Sequence, residues 1–100
     1  WLGVMIQRIT PELQESFKLS NTSGALVSDL VPNGPADLGG MKRGDVITRF
    51  DGVEITSMET LPKQVASIKP GKSVKVEVIR EGKSRTLDIK IEPMKEEKPA

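Results

Sequence analysis

The sequence predicts an α+β fold, a small, partly open β-barrel or sandwich of about six strands capped by two or three helices. Three observations predict it. Apolar and polar residues alternate through residues 73–80, where Val74, Val76 and Val78 share one face, and again through 84–91 with Leu87, Ile89 and Ile91. Glu81-Gly82 joins these two runs, which makes them a terminal hairpin. Leu61, Val65 and Ile68 instead recur at i, i+4, i+7, the stripe of one amphipathic helix.

The other elements follow in order. Val4, Ile6 and their neighbours through Ile9 read as a strand. Residues 10–17 read as a short helix, capped by Thr10, with Pro11 at its first position and Leu13 and Phe17 on one side. Asn21 to Gly24 is a turn, and 25–31 is a strand closed by Pro32-Asn33-Gly34. Residues 35–38 allow one short helix before Gly39-Gly40 ends it. Residues 45–50 form a strand, Asp51-Gly52 a tight turn and 53–55 a short return strand. The longest helix is expected over 57–68, opened by Ser57, with Pro62 in or near its first turn. Residues 94–100 are charged and contain Pro, which predicts a flexible linker or tail after a domain of residues 1–93.

Composition narrows the chemistry. The chain has 100 residues, enough for one domain, and only three aromatic residues, Trp1, Phe17 and Phe50, so its core is built from aliphatic side chains. It has no Cys and no His, which removes disulfides, thiolate nucleophiles, the common zinc sites and a Ser-His-Asp triad. No catalytic residue, metal site or cofactor is expected. Ser23 and Ser28 lack a G-x-S-x-G context, and Glu12 with Glu15 reads as a solvated helix face. The net charge of +1 gives no bulk attraction to nucleic acid or to an anionic membrane. Lys69, Lys72, Lys75, Arg80, Lys83 and Arg85 could make a basic patch, but no aromatic residue interleaves with them to stack bases. No run is long enough to span a bilayer, and no signal peptide is visible. The abrupt start at Trp1, without Met, reads as a fragment of a longer protein.

Three groups of residues could carry function. Trp1-Leu2-Gly3-Val4 is a bulky-apolar-Gly-apolar loop entering a strand. Glycine there permits a curl in which successive N–H groups converge and bind a carboxylate, although the same residues also fit a buried edge strand with a turn glycine. The Leu61, Val65, Ile68 stripe is either a core face or one wall of a groove beside that strand. In 41–47, Gly44 allows a sharp turn and Asp45 can accept its N–H groups, a structural role.

In their order, the Trp1 loop, the 24–31 strand, the Pro35-Ala36 helix, Lys42-Arg43-Gly44-Asp45-Val46-Ile47, the Asp51-Gly52 turn and the 61–68 helix resemble a PDZ domain of the HtrA/DegP type. These are serine endoproteases and chaperones of the bacterial cell envelope. The resemblance covers about residues 1–93 and implies the PDZ-like fold with the circularly permuted, bacterial strand order. It implies a peptide-binding module that captures C-terminal or unfolded polypeptide segments by strand addition, and so serves substrate recognition, regulation or assembly of a protease. It assigns Leu2, Gly3 and Val4 to carboxylate binding. Val4, Met5, Ile6 and Gln7 would pair with the ligand, and Leu61, Val65 and Ile68 would face the groove. The expected partners are polypeptide C-termini or unfolded segments and the protease domain of the same chain, in the periplasm. No nucleic acid and no membrane insertion are expected. PDZ domains of intramembrane metalloproteases and of secretion components share the fold and are the alternative parents. The tail after Ile91 suits the first of two PDZ domains. Two departures from the family stand out: a basic residue that often supports the carboxylate would precede Trp1, and Gly39 stands where Ala is frequent.

Overall fold

A computed structural model describes residues 1–93; the linker expected over 94–100 lies outside the described residues. The elements are β1 (Val4–Gln7), α1 (Pro11–Ser16), β2 (Ala25–Leu30), α2 (Pro35–Leu38), β3 (Val46–Phe50), β4 (Val53–Glu54), α3 (Thr60–Ala66), β5 (Ser73–Arg80) and β6 (Lys83–Lys90). All strand pairings are antiparallel, in the order β1-β2-β3-β5-β6 with β4 added to β3. The sheet is open, and β1 and β6 are its edges.

The alternation of the sequence becomes two cores on opposite faces of the sheet. Ala25 and Ile47 are paired and enter the larger cluster, with Phe50, Val74, Val76, Val78, Ile89 and Leu61. Their neighbours Leu26 and Val46 pair one step along and face the smaller cluster, with Ile9 and with Leu13 and Phe17 of the α1 region. A period of two on central strands thus holds α1 on one side and α2 with α3 on the other. Thr10 caps α1 as predicted, its Oγ1 accepting from the Leu13 N–H at 3.2 Å.

One helix differs from its prediction. α3 begins at Thr60, not after Ser57, and ends at Ala66. Pro62 is the reason. In a helix capped by Ser57, Pro62 would have to donate to the Met58 carbonyl, yet it has no N–H and its ring would meet that carbonyl. The chain makes a tight turn instead, with Thr60 N–H on Ser57 O at 3.1 Å and Leu61 N–H on Met58 O at 3.3 Å. Pro62 then falls in the first helical turn, where a missing donor costs little.

The loop before β3 is pinned to β5. Asp45 is fully buried and accepts from the Lys42 N–H at 2.9 Å. Arg80 closes a two-point pair on it, Nε to Oδ1 at 2.8 Å and Nη2 to Oδ2 at 2.7 Å, and also donates to Gly40 O at 2.9 Å.

Gly39 explains how closely α2 lies on β6. A Cβ at this position would stand 2.6 Å from Ile89 Cγ1 and 3.1 Å from Asp88 O. Ile89 is fully buried and cannot swing aside. Gly39→Ala is therefore expected to lower stability by about 1–3 kcal/mol, as overpacking does. Thermal denaturation checks this, and an unchanged melting temperature would show that α2 can lift off β6 freely.

Candidate peptide-binding groove

An open apolar groove of about 430 Å³ runs between β1 and α3, lined by Trp1, Leu2, Gly3, Val4, Ile6, Leu61, Pro62, Val65 and Ala66. Its walls follow from local structure. Val4 and Ile6 are half-buried and Met5 and Gln7 exposed, so β1 turns its even-numbered side chains to the groove. On α3, Leu61 is buried while Val65, one turn later, is half-buried at the groove.

The backbone of β1 has the same alternation. Val31 N–H donates to Gly3 O at 2.9 Å, which makes Val4 and Leu30 the next, non-bonded pair of the ladder. Val27, opposite Ile6, uses both of its backbone groups on the β3 side: its N–H donates to Asp45 O at 2.8 Å and its carbonyl accepts from Gly44 N–H at 2.9 Å. Val4 and Ile6 therefore direct N–H and C=O away from β2, to the free edge of the sheet. Met5 and Gln7 direct theirs to β2.

At the closed end, the loop turns its carbonyls inward. Leu2 O accepts from Ala36 N–H of α2 at 2.9 Å, and Gly3 O from Val31. In a trans peptide the N–H opposes the preceding C=O, so the N–H groups of Gly3 and Val4 point away from α2 and β2. Gly3, at φ 79°, makes this curl possible. Among the described residues, neither the Leu2 nor the Gly3 N–H has an acceptor.

The predicted site residues fall into three groups. Leu2, Gly3, Val4, Ile6, Leu61 and Val65 meet in one groove. Met5 and Gln7 lie on β1 but turn both side chain and backbone polar groups elsewhere, by the two-residue period. Ile68 does not line the groove. α3 has ended by then, and the Ile68 N–H reaches only three residues back, to Val65 O at 3.2 Å; its half-buried side chain packs on the main core, as those of Val4, Ile6 and Val65 also do. Sequence reasoning missed Trp1 as a wall of the groove, and missed Pro62 and Ala66 on the helix. The last two neighbour the apolar stripe and are exposed, so periodicity gives them no signal.

Other candidate chemistry is not assembled. Among the described residues no cluster of acidic side chains could hold a metal ion, and no helix is long and apolar enough to cross a membrane. The basic stretch is broken up: Lys72 faces Asp51 at 3.6 Å, Lys75 faces Asp88 at 2.9 Å, and Arg80 is committed to Asp45.

A family model described as PDZ domain matches residues 2–91. The chain belongs to the PDZ family. As a PDZ domain it is a non-catalytic module, and its relatives are of the HtrA/DegP type. It is 41% identical over 91 residues to a probable periplasmic serine endoprotease DegP-like of Halomonas elongata, covering 91% of this chain and 19% of the relative. It is 45% identical over 91 residues to a protein of the same name from Pseudomonas putida strain F1, again with 91% and 19% covered. The PDZ domain thus spans about a fifth of the length of these curated relatives. Among solved structures, it superposes on the HtrA-type protease AlgW with decapeptide at a TM-score of 0.83 and 37% identity, covering 92% of this chain and 28% of that one. It superposes on the HtrA3 PDZ domain bound to a phage-derived ligand (FGRWV) at a TM-score of 0.75 and 27% identity, covering 90% and 82%.

Proposed function

We propose that the groove between β1 and α3 captures the C-terminal end of another polypeptide as an added antiparallel strand. One arrangement carries this reading: N–H groups without acceptors at Leu2 and Gly3 adjoin an open strand edge at Val4 and Ile6, beside an apolar groove. The ligand carboxylate sits on the N–H groups of Leu2, Gly3 and Val4. The last side chain enters the pocket formed by Leu2, Val4, Ile6 and Val65. Ligand hydrogen bonds are mostly main-chain, so sequence preference is loose and affinity is on the order of micromolar or weaker. Such a module suits exposed or unfolded tails of many proteins. The names of the relatives and the peptides in the solved neighbours support a role in substrate recognition, regulation or assembly of a periplasmic serine endoprotease of the HtrA type, beside a protease domain in the same chain.

Val65→Lys tests the pocket. Val65 is half-buried, so a lysine can reach water without unfolding the domain, yet its stem and charge occupy the pocket. Binding of a peptide ending in valine should fall at least tenfold, about 1.4 kcal/mol or more, with an unchanged melting temperature. Backbone NMR shifts on titrating the unmodified domain should cluster on residues 2–7 and 61–66. Shifts centred on β5 and β6 would refute the assignment.

A further inference from the structure

The two walls of the groove are tied together at one point. Arg8 follows β1 and lies on the same side as Val4 and Ile6 by the two-residue period. Its Nη2 stands 3.4 Å from Oε1 of Glu59, the residue that precedes α3. Among the described residues, no other ion pair or side-chain hydrogen bond joins β1 or its continuation to α3. The two side chains are 76% and 60% exposed, so the pair is easily opened.

An antiparallel strand added to β1 has a defined register. With its carboxylate on the Gly3 loop, its last residue lies opposite Val4, its third from last opposite Ile6 and its fifth from last opposite Arg8. Four residues, opposite Val4 to Gln7, fit between the loop and the position of Arg8. A longer chain has to pass through the space that the pair spans.

We propose that Arg8 and Glu59 form a latch across the upstream end of the groove, which tripeptide tails leave closed and tails of five or more residues must open. The proposal rests on the strand-addition reading above. It makes this pair a determinant of ligand length, acting far from the pocket that takes the last side chain.

The test uses the 100-residue chain, its Arg8→Gln and Glu59→Gln variants, and two ligands. One is a tripeptide ending in valine. The other is a nonapeptide with the same last three residues and only alanine and serine upstream. Both variants should bind the nonapeptide about two- to fivefold more tightly, the range set by an exposed ion pair, and the tripeptide as the unmodified domain does. Equal changes for the two ligands, or no change for either, would overturn the latch. Opposite effects would overturn it too: tighter nonapeptide binding by Glu59→Gln with weaker binding by Arg8→Gln means that Arg8 grips the ligand. If the unmodified domain binds the tripeptide without NMR shifts at Val4, Ile6 and Val65, or does not bind it, the strand-addition reading falls first and takes the latch with it.

Discussion

Asp45→Asn is expected to destabilise the domain by about 2–4 kcal/mol, the scale for removing one charge from a buried pair. Its melting temperature should fall by roughly 10–20 °C. The variant leaves the Arg80 guanidinium, only 20% exposed at its side chain, without a countercharge. A guanidinium keeps its charge at ordinary pH, so Arg80 does not escape the loss by deprotonating. Arg80→Met should cost a comparable amount, because it strips two of the three donors around the buried carboxylate. The double variant should be clearly less damaged than the sum of the two, since residues in one network couple. Strict additivity in thermal or urea denaturation would show that the pair does not hold the loop. Below their melting transitions the variants should still bind peptide, because neither residue lines the groove.

Amidating the C-terminus of a peptide ligand is expected to weaken binding by about 1.5–3 kcal/mol, roughly 10- to 150-fold. In the proposed binding mode, the amide would remove the charge that the N–H groups of Leu2, Gly3 and Val4 meet, and would bring donors of its own to a place that holds only donors. Isothermal titration of matched acid and amide peptides measures the difference directly. A loss under twofold would mean that the ligand is held by its side chains and strand hydrogen bonds, and that the loop has another role.

The parts of this fold most legible in the sequence were those where one face is buried and the other wet. The β5–β6 hairpin shows it best. Its Val74, Val76 and Val78 all enter the main core, and the strands start and stop within one residue of expectation. The α1 cap was readable because Thr10 and Pro11 act within four residues of each other. The α3 boundary was not, because two local signals conflict: Ser57 invites a cap, and Pro62 vetoes a helix that starts there. The same conflict leaves Ile68 beyond the end of α3, since the apolar spacing outlasts the helix. The tie between Asp45 and Arg80 spans 35 positions and leaves no periodic mark. Likewise, nothing short of the register of β1 on β2 tells Val4 and Ile6 from Met5 and Gln7 as the positions that face the open edge.

That register is itself set by an irregularity. Between Met5 and Ile6 the partner on β2 jumps from Asp29 to Val27, leaving Ser28 as one extra residue, and its Oγ donates to Met5 O at 3.1 Å. A four-residue strand at the rim of a sheet has little to stop it slipping along its neighbour, and a slip of one would swing Val4 and Ile6 out to solvent. The bulge works as a notch with a single seat. It fixes the distance along the chain from the curled loop at Gly3 to each position of the open edge. In the proposed binding mode, an incoming tail would be read from a fixed zero, its residues counted from its end.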